Sequence, residues 1–282
     1  MATTKQAAGA GFRHCRIYEI DENGFGVVPA TGAVGYDGVW FSLAKALTLT
    51  IPDPQILQHV GDDRVGGVDL LPPTEAMSAE LRTGKTNLEV DAILSNVNVV
   101  ALGEMQLSGA GTDQQGMEPH IAILAYRQAI DIDPASVTKG ARRWIWVLMS
   151  QAIVFPKMGA MEEQAVDENT YPVQPMVFSQ YPWGIEFEAA TEGFEDAQLI
   201  RGISQHRPHL GFWEGDGVVV AFTFAATLQA AATTRVSVFH YVASTGITTD
   251  VTATVTITTA DITFTVAPAA DDVVTAFYEI AD

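Results

Sequence analysis

The sequence predicts a mainly β chain with one short helix and a small antiparallel sandwich at its C-terminal end. Three observations carry this. Apolar and polar residues alternate with period two in residues 76–83, and residues 120–131 read as a strong strand. A helical spacing of apolar residues occurs in residues 87–96. From residue 213 onward the chain is a series of short Val- and Thr-rich runs separated by turns, with almost no Lys or Arg.

Taken in order, residues 1–11 are small and polar and read as a flexible arm. Residues 12–20 form a first strand, and the Gly-, Asp- and Pro-rich residues 21–38 a loop. Residues 39–50 are mixed, with a strand in the later half; Pro52 and Pro54 stop it. Residues 56–60 start again before the turn Gly61-Asp62-Asp63 and the step Leu71-Pro72-Pro73. In residues 76–83, Met77, Ala79 and Leu81 alternate with Ser78, Glu80 and Arg82, which is a half-buried strand. Thr86 or Asn87 caps the helix, Glu89 sits near its positive end, and Leu88, Ile93 and Leu94, with Val90 beside them, make its packing stripe.

Residues 103–118 read as a long loop of the kind a partner orders. Residues 120–131 are a strong strand with Ile121, Ile123 and Leu124 inward. Residues 141–155 are too long for one ordinary strand, which predicts a bend or bulge near Ser150. Residues 161–169 carry an acidic face; Pro172 and Pro175 interrupt. Strands follow at 177–179 and 183–189, residues 192–209 are irregular, and residues 210–216 are the best linker.

Composition narrows the function. The 282 residues suit one large β domain or two smaller ones. Charged residues are 17% against 48% hydrophobic, so much of the surface is expected to be covered by partners. The net charge of −19 disfavours tight nucleic-acid binding, which needs Lys and Arg at phosphates. Cys15 is the single cysteine, which excludes an intramolecular disulfide and a cysteine-based zinc site. The N-terminal residues lack an apolar signal core and no run approaches a membrane span.

Residues 60–99 present GDDRV, a proline step, SAELRTGKTNLE and DAILSN. This order resembles the tail tube (major tail) proteins of long-tailed bacteriophages. YRQAID, RRWIWVLMSQAIVFPK and MEEQAVDENTYPVQP are similar in order and spacing, so the resemblance spans roughly residues 10–200. Residues 213–282 resemble a recurrent phage β-sandwich module, through Gly215-Asp216-Gly217, Phe222 and Phe224, Val236 and Val238, the run Ile262 to Pro268, and Asp272 to Tyr278. The division is then an arm at 1–11, a tail tube domain at 12–212 and the module at 213–282.

The resemblance implies two packed β-sheets flanked by one short α-helix, a sandwich or barrel. It implies hexameric rings stacked into a tube that delivers DNA to the host. The partners are further copies of the chain, tape measure, tail terminator and baseplate or tip proteins, and DNA in transit without sequence-specific binding. The place is the virion tail, after assembly in the host cytoplasm. No cofactor, metal, catalytic residue or membrane insertion is expected.

Glu162, Glu163, Asp167 and Glu168, with Glu80, are then candidates for an acidic channel lining; a solvated outer strand is the plain alternative. Asp62, Asp63, Pro72, Pro73, Gly109, Asp113, Trp144 and Trp146 are candidates for contacts between subunits or rings. The Gly61–Pro73 segment reads as a loop free to reach the next subunit. Trp144 and Trp146 point one way from a strand, as interface or core anchors. His206 and His209 lack a third ligand for zinc. A carbohydrate- or cell-surface-binding fibre or adhesin protein is the other class compatible with the C-terminal module.

Overall fold

The computed structural model describes residues 7–9, 14–21, 24–27, 35–41, 44–53, 55–61, 64–71, 77–83, 90, 93–94, 99–102, 105–108, 119–131, 140–155, 169–176, 200–229 and 236–280. The chain is mainly β, built of several packed antiparallel sheets.

The largest sheet holds nine strands: β1 (Ala7–Gly9), β2 (His14–Glu19), β3 (Val39–Phe41), β4 (Ala44–Thr50), β7 (Ser78–Thr83), β10 (His120–Asp131), β11 (Arg142–Val154), β12 (Asn169–Pro175) and β13 (Ile200–Ser204). Its main path runs β3-β2-β10-β11-β12-β7-β4. β3 and β4 lie at opposite edges of that path, yet only two residues separate Phe41 from Ala44. Three Cα–Cα steps reach at most about 11 Å. Phe41 and Ala44, at the two edges, are therefore neighbours, and the sheet curls round as an open barrel. One apolar cluster gathers Cys15, Ile17, Phe41, Leu81, Ile121, Ile123, Met149, Val154, Tyr171 and Val173 from all around the path. The helical residues Val90 and Leu94 are fully buried in the same cluster, with Ile93 packed against it.

β10 explains the second layer. Ile121, Ile123 and Ala125 face the barrel core, while Ala122, Leu124 and Tyr126 belong to another buried cluster. That cluster also holds Tyr18, Trp144 and Leu148 of the barrel, and Leu210 and Phe212 of β14 (Arg207–Glu214). β14 is the edge of a four-stranded sheet ordered β14-β20-β16-β17, with β16 (Val236–Val242), β17 (Ile247–Asp250) and β20 (Val273–Ile280). The opposite face of this sheet packs on a three-stranded sheet of β15 (Ala221–Thr223), β18 (Thr256–Ile257) and β19 (Asp261–Thr263). Trp213, Phe222, Phe224, Val236, Val238, Ile262 and Tyr278 fill the space between them. β14 is thus covered on both faces, which is why Pro208 to Trp213 are all buried, His209 among them.

The predicted C-terminal sandwich is present, but residues 210–216 are no linker. Arg207 to Glu214 pair with Ile280 to Val273 along their whole length. The irregular stretch 192–209 also contains β13, paired to β11 through Trp144↔Ser204 to Leu148↔Ile200. Within the arm, residues 7–9 pair with β10. The segment 61–73 holds a strand, β6 (Arg64–Leu71), paired with β5 (Gln55–Gly61). Part of the loop 103–118 is also a strand, β9 (Met105–Ser108), paired with β8 (Val99–Leu102).

The bulge near Ser150 is there. Ile121 pairs with Ala152 and Ile123 with Met149, so three steps on β11 oppose two on β10. The shift restores Ala152 and Val154 to the barrel core after Met149.

Pro172 and Pro175 do not interrupt β12. Pro172 opposes Phe155, just past the end of β11, and accepts its N–H at 3.0 Å. Backbone groups alternate sides in an antiparallel strand. The missing donor of Pro172 therefore faces the end of β11, and that of Pro175 faces Met77, just before β7 begins. Pro208 is tolerated in the same way, on the outer side of edge strand β14.

Candidate functional site

Two features of the described residues could carry function: strand edges left without partners, and a polar cluster buried where β14 meets the barrel.

β4 is an edge. It pairs with β7 through Ala46↔Arg82 to Thr50↔Ser78, and no described strand pairs with its other side. β7 gives its odd residues to β12, so Ser78, Glu80 and Arg82 bond toward β4. By the same alternation the amides of Leu47 and Leu49 point to the open side, while their side chains pack on the barrel core. The outer face here is polar: Thr48, Thr50, Ser78 and Arg82 are exposed, with Glu80 half-buried. Glu80 is ion-paired with Arg82. β5 and β6 leave the β4–β7 hairpin as a two-stranded ribbon, joined to no other described strand. Such a ribbon alone is marginally stable in water.

The polar cluster starts from Arg16 on β2. Its Nη1 donates to the carboxylate Oδ2 and the backbone carbonyl of Asp37, both at 2.7 Å. Its guanidinium lies over Trp40, 5.2 Å from the ring centre. His209 comes from β14 and is fully buried, with Nε2 3.3 Å from Asp37 Oδ2. That separation suits an ion pair, but the alignment gives neither ring nitrogen a hydrogen bond. Tyr278 of β20 meets the imidazole edge-on at 5.1 Å. Desolvation pushes the His209 pKa below the ordinary imidazole value, outweighing the pull of Asp37. Burial raises the Asp37 pKa, but His209 and Arg16 more than offset this and hold it below the usual carboxylate value. Burial lifts the phenols of Tyr18 and Tyr278 well above their ordinary range.

The backbone binds the two layers at the same place. Tyr36 and Phe212 exchange hydrogen bonds, N–H to O at 2.9 and 3.1 Å, and Gly35 N–H donates to Thr223 O at 3.2 Å. A Cβ on Gly26 would run into the Phe212 ring, so only glycine lets this loop close over β14.

A second His–Asp pair joins His240 Nε2 to Asp272 Oδ2 at 2.9 Å. Asp272 also accepts the N–H of Ala243 and Ala269 at 3.0 Å each. These bonds anchor the turns around it rather than orient a nucleophile. Among the described residues, no group of three or more His, Cys, Asp or Glu could hold a metal ion.

Glu162, Glu163, Asp167, Glu168, Asp62, Asp63, Pro72, Pro73, Gly109, Asp113 and Leu88 lie outside the described residues, as do the strands expected at 177–179 and 183–189. Trp144 is 6% exposed and Trp146 packs against the same cluster, so both are used inside the chain. Arg143 is committed too, bonding Asp131 Oδ2 through Nε and Nη2 at 3.0 and 2.8 Å. The Arg16–Asp37–His209 grouping was missed in the sequence. Its one signal was a charged residue between the apolar Cys15 and Ile17 of a strand. Compared with models of known protein families and with curated proteins, the chain matches none.

Proposed function

We propose that this chain is a structural, non-enzymatic virion protein. It self-assembles into stacked hexameric rings, forming a phage tail tube through which DNA passes to the host. The observation that carries this reading is the outer side of β4, which no described strand pairs, followed along the chain by the β5–β6 ribbon. An open edge presents a row of N–H and C=O groups that another strand can pair. Pairing around a closed ring removes the liability, and a head-to-tail contact that does not close produces a filament. The polar face of Thr48, Thr50, Ser78 and Glu80, where Arg82 is paired with Glu80, suits a surface along which DNA slides without sticking, and the net charge of −19 acts in the same sense. In this reading the tape measure, terminator and baseplate or tip proteins meet the tube at its core and its ends.

Electron microscopy and sedimentation of the purified full-length chain test the proposal. Hollow tubes or ring stacks are expected. Hydrogen exchange adds a readout on the edge itself: the amides of Leu47 and Leu49 should exchange fast in the dispersed chain and slowly after assembly. Monomers or trimers at every concentration, with affinity for glycans, would replace this reading by a carbohydrate-binding fibre protein.

A further inference from the structure

We propose that Arg16, Asp37 and His209 form an acid-sensitive latch between the barrel and the sheet packed on it. The proposal stands independently of the assembly reading.

The three side chains come from three places. Arg16 is on β2, Asp37 precedes β3, and His209 is on β14 in the other layer. Asp37 is the carboxylate that answers the cations here. It takes Arg16 at 2.7 Å and has His209 at 3.3 Å. Arg16 and Arg207 both act on the imidazole as like charges once it is protonated. The phenols of Tyr18, Tyr126 and Tyr278 lie close by and supply no negative charge at neutral pH.

A neutral imidazole fits this site. It is fully buried and meets Tyr278 edge-on, so the neutral ring adds no charge to the buried site. A protonated one does not fit as well. It sets Arg16 and the imidazolium together against the Asp37 carboxylate, inside a region where the cost of an uncompensated charge is high. Acid therefore favours arrangements in which His209 reaches water. Because His209 belongs to β14 and meets Asp37 beside Tyr36, exposing it means drawing Asp37 away from β14 and parting the Tyr36–Phe212 hydrogen-bonded pair. The sign follows from the depressed value: the closed seam is fully stable above the ordinary imidazole pKa, and loses stability as pH falls below it.

The test is hydrogen exchange by NMR on the full-length chain between about pH 7.5 and about pH 5, corrected for intrinsic exchange rates. Protection of the Tyr36 and Phe212 amides is expected to fall by roughly fivefold or more across that range. The Ile20 amide, bonded to His120 O inside the barrel, and the Phe264 amide, bonded to Val220 O inside the sandwich, should keep their protection. Constant protection at Tyr36 and Phe212 would overturn the proposal, and so would an equal fall at all four amides. His209→Phe keeps the ring against Tyr278 and removes the titration, so the pH dependence should vanish; its survival would also overturn the latch. Should that variant not fold, the unmodified chain still decides. The His209 ring resonances must shift in step with the loss of Phe212 protection, and a ring that titrates while the seam stays closed is the contrary result.

Discussion

Asp131 and Arg143 close the base of the β10–β11 hairpin, and both are nearly buried. Removing one partner of such a pair leaves an uncompensated charge. Arg143→Met should therefore destabilise the chain by about 3 kcal/mol, read as a lowered urea midpoint with unchanged slope. Cys15 gives a second residue-scale prediction. It is completely buried, and desolvation pushes its pKa from 9.0 up to about 12. At pH 8 its thiolate is then about a thousandfold scarcer than that of an ordinary thiol. Alkylation by iodoacetamide should follow global unfolding, and fast labelling of the native chain would contradict the placement of Cys15 in the barrel. The sign of the linkage is alkaline: a raised thiol pKa stabilises the fold below pH 9, and that contribution is lost as pH climbs toward 12.

At the scale of elements, the two prolines of β12 separate local rules from their context. Pro172→Ala supplies an N–H where β11 has already ended. It should cost only about 0.4–1 kcal/mol, through the greater freedom of the unfolded chain. Val173→Pro removes a donor facing Ala79 of β7 and should cost about 3 kcal/mol or more. Thermal unfolding of the two variants side by side checks this, and equal losses would refute the register. The same strand shows what was legible in the sequence. Alternation identified β7, and excess length identified the bulge of β11, because both are properties of a single segment. Proline was read as a stop in β12, because where a missing donor points depends on where the neighbouring strands end. β6 and β9 were hidden for a related reason, since each pairs with its own hairpin partner, β5 or β8, and with no other described strand. Cys15 and Ile17 of β2 announced a strand, but nothing in the sequence placed Arg16 between them opposite a histidine almost two hundred positions away.

The whole molecule departs furthest from the sequence reading at the junction near residue 210. A Val- and Thr-rich tail following a polar stretch suggests a separate module on a linker. In the folded chain the first strand of that module contributes Leu210 and Phe212 to a cluster shared with Tyr18, Leu124, Tyr126 and Leu148 of the barrel. Tyr18 and Phe212 meet edge-on at 6.1 Å, and Trp146 lies 5.2 Å from Phe277. A decorating domain could be cut away without loss to the rest. Removing this one would uncover Tyr18, Leu124, Tyr126 and Leu148, all buried in the full chain. The full-length chain should accordingly unfold in one cooperative transition, with fluorescence and circular dichroism coincident. Phe212→Ala, at a fully buried position, should lower stability by about 3–5 kcal/mol and shift both probes together. A chain ending at residue 206 should be insoluble, or soluble only without the exchange protection of Ile20 and the other barrel amides. A soluble, protected barrel from that truncated chain would mean that the shared cluster contributes little, and that the two layers are separate domains that merely touch.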